Sequence, residues 1–98
     1  MTGWLRREVL AQADHLISET RAEEYGDAGD VFTRIADLWS AVFAEEFTAA
    51  DVAVAMILVK LARVADNPRH FDSWVDIAGY AALGAEVAGV RTADGGDL

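Results

Sequence analysis

The sequence predicts an all-α protein, a four-helix antiparallel bundle-like domain that association with further copies completes. Apolar residues recur with helical spacing, strand-type alternation is nearly absent, and the chain contains a single proline. A chain of 98 residues buries only a modest part of its surface, which favours a homo-oligomer. We expect one helical domain over residues 1–90 and a flexible C-terminal tail over residues 91–98.

The first predicted helix runs from Leu5 to Glu24, and the second begins at Asp30. In the first, apolar residues at i, i+3 and i+4 form one stripe. In the second, the apolar face is wide and rich in aromatic residues. The stripe of the first helix consists of Val9, Leu10, Ala13, Leu16 and Ile17.

The third predicted helix, Ala49 to Ala65, has recognisable signals at both ends. Thr48 and Asp51 have the spacing of a capping box, in which a hydroxyl oxygen and a carboxylate each accept a backbone N–H. Pro68 disfavours helical backbone at the preceding residue and so ends the helix. The helix is apolar nearly all round, which is typical of a central helix or of one at a subunit interface.

The fourth predicted helix, Phe71 to Val87, is rich in small residues. Gly79 and Gly84 each disfavour a helix by about 1 kcal/mol relative to alanine. Close packing against another helix explains them better than helix propensity does.

The overall charge excludes some classes of partner. Seventeen acidic and eight basic residues give a net charge of −9, which opposes binding to a nucleic-acid polymer. No segment has the roughly 18 apolar residues of a membrane helix, and none resembles a secretory signal. We therefore expect a cytoplasmic protein without a membrane partner.

The charges within the apolar third helix are the strongest candidates for a site. Lys60 and Arg63 are three residues apart and share a face, as do Asp72 and Asp76 on the fourth helix. An antiparallel hairpin of these helices would bring the two faces together. Such an arrangement is expected because a buried lysine needs an acidic partner. Lys60 would pair with Asp76, and Arg63 with Asp72 or Asp66. These pairs either lock the helices together or form the floor of a phosphate pocket, and the sequence leaves both open.

A second acidic pair, Glu19 and Glu23, lies one turn apart on the first helix. Facing Asp72 and Asp76 across a bundle, these carboxylates could hold Mg²⁺, which prefers oxygen ligands and recruits phosphate oxygens. The alternative is a solvated helix end.

Aromatic residues and a histidine complete the candidate ligand site. Tyr25, Trp74 and Tyr80 could stack on a base, whereas Trp39 has the spacing of a core residue. His70 either begins the fourth helix or donates to a phosphate.

The segment from "EEYGD" to "DNPRHFDSWVDIAGYAALGAE", Glu23 to Glu86, resembles a small all-α domain of bacteriophage and prophage genomes. That domain is in turn similar to MazG-like nucleotide pyrophosphohydrolases and to nucleotide-modification-associated domains of phages. In MazG-like enzymes, acidic pairs on two helices hold Mg²⁺ and basic residues contact the phosphates.

The resemblance implies a nucleotide ligand in a bacterial host. This chain has D-x-x-x-D at Asp72 and Asp76 where the enzymes use E-x-x-D, so the resemblance favours binding over hydrolysis. We expect a phage-type protein that binds a nucleotide-derived ligand and sequesters it as an immune signal. A Mg²⁺-dependent pyrophosphohydrolase and a non-catalytic interaction module are the alternatives. The expected ligand residues are Lys60, Arg63, His70, Asp72, Asp76, Tyr80 and Tyr25, and the metal ligands of the enzymatic alternative are Glu19, Glu23, Asp72 and Asp76.

Overall fold

A computed structural model describes residues 2–20 and 28–90 of the chain. These described residues form four α-helices, which are α1 Thr2–His15, α2 Ala28–Phe43, α3 Ala49–Asp66 and α4 Phe71–Val87. A π-helical segment, Leu16–Thr20, follows α1 directly. Within the described residues there is no strand, so the all-α prediction is confirmed.

The first two helices differ from their predicted bounds. The first begins at Thr2 instead of Leu5, and at Leu16 its backbone changes to the wider π-helical turn. Its predicted end at Glu24 lies outside the described residues. The second helix begins at Ala28, just before the predicted Asp30.

The third helix begins at the predicted capping box. Thr48 has extended backbone, and its Oγ1 accepts the Asp51 N–H at 3.2 Å. The Asp51 carboxylate in turn accepts the Thr48 N–H at 2.9 Å. Two N–H groups that the helix itself leaves unbonded are thereby satisfied.

Thr48→Ala should lower the free energy of unfolding by about 1 kcal/mol, because the Asp51 N–H loses its acceptor. Urea denaturation measures the change, and Thr48→Ser serves as the control that keeps the hydroxyl. Equal losses in the two variants would contradict the capping role.

The turn between α3 and α4 is closed by backbone hydrogen bonds. The Asn67 N–H donates to the Arg63 carbonyl at 2.8 Å, and the His70 N–H donates to the Asn67 carbonyl at 3.1 Å. Helix α4 then spans the predicted residues Phe71–Val87. The short connection makes α3 and α4 an antiparallel helical hairpin.

This hairpin is the centre of the fold, and its two helices share the most extensive contact. Helix α2 packs on both α3 and α4, whereas α1 packs on α4 and, among the described residues, on neither α2 nor α3. The core cluster joins α2 to the hairpin. It consists of Phe32, Ala36, Val52, Ala53 and Tyr80.

The glycines of α4 allow close packing, as their small size predicts. A Cβ atom at Gly84 would lie 3.0 Å from the Ala53 Cβ, and one at Gly79 would lie 3.4 Å from the Ile17 Cγ2. The hairpin and the contact with the π-helical segment both depend on this closeness.

Many large apolar side chains lie on the surface. Of the predicted stripe on α1, Ala13 is buried but Leu10 is 63% exposed, so Leu10 is not the core residue that its spacing indicates. On α2 and α3 several large apolar side chains are exposed too, including Leu38, Val42, Phe43, Val54, Leu58 and Leu61.

Candidate functional site

An ion pair joins the two helices of the hairpin. The Lys60 Nζ atom lies 3.0 Å from an Asp76 carboxylate oxygen, and the two side chains are 23% and 21% exposed. The predicted contact is therefore present. Because both groups are largely withdrawn from water, removal of either would leave an uncompensated charge at the other.

A shallow groove that encloses only about 10 Å³ lies beside this pair, between the π-helical segment and α4. Apolar side chains form most of its walls, and the Asp76 carboxylate is its charged member. Gly79 lets the π-helical segment lie close to α4, as its near contact with Ile17 shows. The groove is lined mainly by Leu16, Ile17, Asp76, Gly79, Tyr80 and Leu83.

Tyr80 belongs both to the groove and to the core. Its side chain is only 7% exposed, and its ring centroid lies 6.3 Å from that of Phe32. A stacking platform for a base needs an exposed ring face, and most of this ring packs against protein. Tyr80 can therefore contribute to the groove wall but offers little of its face.

Arg63 does not form the predicted ion pair. Among the described residues, no carboxylate of Asp66 or Asp72 lies within 4.0 Å of its guanidinium, and all three side chains are exposed. The prediction was wrong because exposed charges at a helix end are well solvated and gain little from pairing. The guanidinium is left open to solvent beside the turn.

His70 is the N-cap of α4, one of its two predicted roles. Its Nδ1 accepts the Ser73 N–H at 3.2 Å and lies 2.6 Å from the Ser73 hydroxyl, which is buried. When Nδ1 accepts, the neutral ring carries its proton on Nε2. The second nitrogen therefore remains a donor for a ligand.

Trp39 and Trp74 differ in how far they are buried. Trp39 packs edge-on against Phe47 with ring centroids 5.9 Å apart, as expected for a core residue. Trp74 is 42% exposed, and its indole N–H donates to the Pro68 carbonyl at 2.9 Å. Trp74 thus holds the turn while leaving part of its ring accessible.

Part of the predicted site lies outside the described residues. Glu23 and Tyr25 lie outside the described residues, and so does the side chain of Glu19. Among the side chains that are described, no group of three or more His, Cys, Asp or Glu residues could hold a metal ion. Asp72 and Asp76 are therefore the members of the predicted metal set with a known position, and Asp72 is exposed.

The sequence did not indicate Leu16, Ile17 and Leu83 as site residues. Their apolar character favours a core position, and only the fold brings them to one groove. Gly79 carried the one available signal, since a glycine within a helix points to a close approach.

These observations define an all-helical protein with an ion-paired hairpin beside a mainly apolar groove. Residues 8–88 match the model of a family described as a domain of unknown function, DUF6378, and the chain belongs to this family.

The curated relatives that the chain matches come from phages. The Gene 55 protein of Mycobacterium phage L5 is 50% identical over 76 residues, which are 76% of this chain and 49% of that protein. The Gene 55 protein of Mycobacterium phage D29 is 40% identical over 77 residues, 79% of this chain and 51% of that protein. The chain thus spans about half the length of these relatives. No solved structure matches significantly.

These matches confirm the predicted kinship with phage domains. The likeness to MazG-like enzymes stays a prediction. Within the described residues, no helix is both long and apolar enough to cross a membrane.

Proposed function

We propose that this protein binds a nucleotide-derived ligand beside the Lys60–Asp76 pair and holds it without hydrolysis. The ion pair at 3.0 Å next to an apolar groove is the observation that carries the proposal. Small-molecule sites typically combine apolar walls with a few polar groups that fix orientation.

The pair offers complementary polar contacts to such a ligand. An ammonium group has three donors, and the bond to Asp76 uses one of them, so Lys60 retains donors for phosphate oxygens. The Asp76 carboxylate can accept from an amino group of a base or from a sugar hydroxyl.

The size of the groove limits what can enter. The groove encloses only about 10 Å³, far less than the 300–1,000 Å³ of typical ligand pockets, so a base or a sugar would rest on its apolar walls at the open surface while the phosphates extend into solvent. Leu16, Ile17 and Leu83 would contact the base or the sugar.

Two further groups that can contact phosphate oxygens lie at the same end of the hairpin. Arg63 is three residues beyond Lys60, and His70 caps the amino end of α4, where the helix dipole favours an anion. We assign both to the more distant phosphates. Asp72, in the first turn of α4, would limit how much negative charge can bind there.

Sequestration of a nucleotide immune signal in the cytoplasm of a bacterial host is the biological role we propose. The phage origin of the relatives supports this setting, while their names identify no ligand. Association of two copies is part of the proposal, because an assembly would bury the exposed apolar side chains.

Two alternatives remain. The Mg²⁺-dependent pyrophosphohydrolase requires Glu19 and Glu23 to meet Asp72 and Asp76, and product formation tests it. The interaction module is favoured by the many exposed apolar side chains, and a lack of ligand response tests it.

A thermal-shift screen tests binding directly. Purified protein is mixed with nucleoside triphosphates, cyclic nucleotides and ADP-ribose derivatives, with and without Mg²⁺, and the mixtures are then analysed for products. A raised Tm with intact ligand supports sequestration, because a ligand that binds only the folded state stabilises it. Release of pyrophosphate decides for the enzyme, and no shift with any compound overturns both nucleotide functions.

Lys60→Met should abolish the rise in Tm that the best compound of the screen produces, because the phosphates lose their ammonium partner. At a ligand concentration of 100 times Kd, the lost stabilisation is about 2.7 kcal/mol. Circular dichroism checks that the variant remains helical.

Arg69→Met is the matched control, since Arg69 is an exposed cation in the turn. The control should keep the full response. A Lys60→Met protein that responds like the wild type would show that the ion pair only joins the helices.

A further inference from the structure

The amino end of α4 is closed by a histidine. His70 has extended backbone and is the N-cap of the helix, and its Nδ1 accepts the Ser73 N–H at 3.2 Å. The Ser73 Oγ lies 2.6 Å from the same nitrogen, so its hydroxyl can donate to the ring as well. Ser73 is only 1% exposed, which leaves water little access to this residue. The Ser73 N–H therefore depends on the ring nitrogen as its acceptor.

Histidine differs from the usual capping residues in its titration. Ser, Thr, Asp and Asn are the preferred N-caps, and the side-chain oxygen of each remains an acceptor at neutral and mildly acidic pH. Imidazole instead gains a proton between about pH 8 and pH 5. Once both ring nitrogens carry protons, neither can accept a hydrogen bond. A cap made by His70 therefore works only while its ring is neutral.

Protonation of the ring acts on the helix in two ways. The charged Nδ1–H can still donate to the Ser73 Oγ, but the Ser73 N–H loses its acceptor, and an unpaired buried donor is costly. The charge also lies at the positive end of the helix dipole, where a cation is disfavoured. Both effects destabilise the first turn of α4 when the ring is charged.

The charged surroundings of the ring give the cation no direct partner. Among the described residues, no carboxylate lies within 4.0 Å of a His70 ring nitrogen. The flanking Arg69 and Asp72 have opposite charges and are both exposed, so water screens them. The helices that pack on α4 carry further charged or titratable side chains, all of them exposed except Lys60, which are Arg6, Arg7, Glu8, Asp14 and His15 on α1, Asp30, Arg34 and Asp37 on α2, and Asp51, Lys60, Arg63 and Asp66 on α3.

We propose that His70 is a pH-sensitive cap, whose neutral ring closes the first turn of α4 and whose protonation opens that turn. The same turn carries Trp74, whose indole N–H donates to the Pro68 carbonyl at 2.9 Å, so opening loosens the connection between α3 and α4. In the unfolded chain no such bond depends on the neutral ring. The free energy of unfolding therefore falls as the pH falls through the range in which the imidazole gains its proton. This cap operates without a ligand and is separate from the function proposed above.

Nuclear magnetic resonance of the wild-type protein gives the first test. The ¹⁵N shifts of the His70 ring should show a neutral tautomer with its proton on Nε2. When the pH is lowered from about 7.5 to about 5.5, the Ser73 amide resonance should follow the titration of the ring. The protection of this amide against hydrogen exchange should fall about 5-fold, the factor by which loss of a typical cap shifts a folding equilibrium.

Urea denaturation at the same two pH values gives the second test. The chain has two histidines, so the variant His15→Gln leaves His70 as its single imidazole. On acidification, the unfolding equilibrium constant of this variant should rise about 5-fold more than that of His15→Gln/His70→Asn, because asparagine caps a helix without titrating. All other charges are the same in the two proteins, so the difference reports His70.

Equal losses of stability in the two proteins on acidification overturn the pH-sensitive cap. A Ser73 amide that keeps its protection while the ring is charged also overturns it, since the charged ring would then hold the turn through the Ser73 Oγ. A neutral ring with its proton on Nδ1 would contradict the cap itself. The amide and ring measurements use the wild-type protein, so they decide between these outcomes even where His70→Asn does not fold.

Discussion

Phe32→Ala should lower the free energy of unfolding by about 3–5 kcal/mol, which approaches the whole stability of a small domain. Phe32 is 6% exposed and packs against Tyr80, with ring centroids 6.3 Å apart. It ties α2 to the hairpin, so the truncation leaves a cavity where three helices meet. Chemical denaturation followed by circular dichroism measures the loss.

Phe43→Ala is the matched control from the same helix. Phe43 is 62% exposed, although its ring lies 6.2 Å from that of Phe47. We expect a loss of about 1 kcal/mol or less, since most of this ring already contacts water. If the two truncations cost the same, the assignment of Phe32 to the core is wrong.

Gly84→Leu should separate α3 from α4 and lower the free energy of unfolding by about 3 kcal/mol or more. Even a Cβ at this position would lie 3.0 Å from the Ala53 Cβ, and Ala53 is only 2% exposed. A leucine adds three further carbon atoms at a position where the Cβ alone is already too close to its neighbour. The midpoint of urea denaturation reports the change.

Ala82→Leu places the same side chain on an exposed position of α4 and should change stability by less than about 0.5 kcal/mol. This control separates overpacking from a general effect of leucine on the helix. A Gly84→Leu protein as stable as Ala82→Leu would mean that the hairpin tolerates a wider separation.

The hairpin could be predicted from sequence because its signals are local. Thr48 and Asp51 define the start of α3, and Pro68 defines its end, so α3 exceeds its predicted range only by Asp66. For the first helix, the sequence predicted a helix but not its change of backbone geometry. Apolar spacing identifies a helix, but it does not reveal that the hydrogen-bond pattern changes at Leu16.

The candidate site could be predicted where desolvation demands a partner. Lys60 lies in an apolar segment, so its pairing with Asp76 followed from the cost of burying an ammonium. Arg63 is exposed and has no such requirement. The groove itself depends on how Ile17 meets Gly79, two residues far apart in sequence, and no local pattern reports that contact.

The attachment of α1 has a thermodynamic consequence for the groove. Among the described residues, α1 reaches the other helices through α4 alone, and the groove lies where the π-helical segment meets α4. The position of α1 and its π-helical segment on α4 therefore sets the width of the groove. Occupancy of the groove and docking of α1 form a linked equilibrium, in which each changes the other by the same factor.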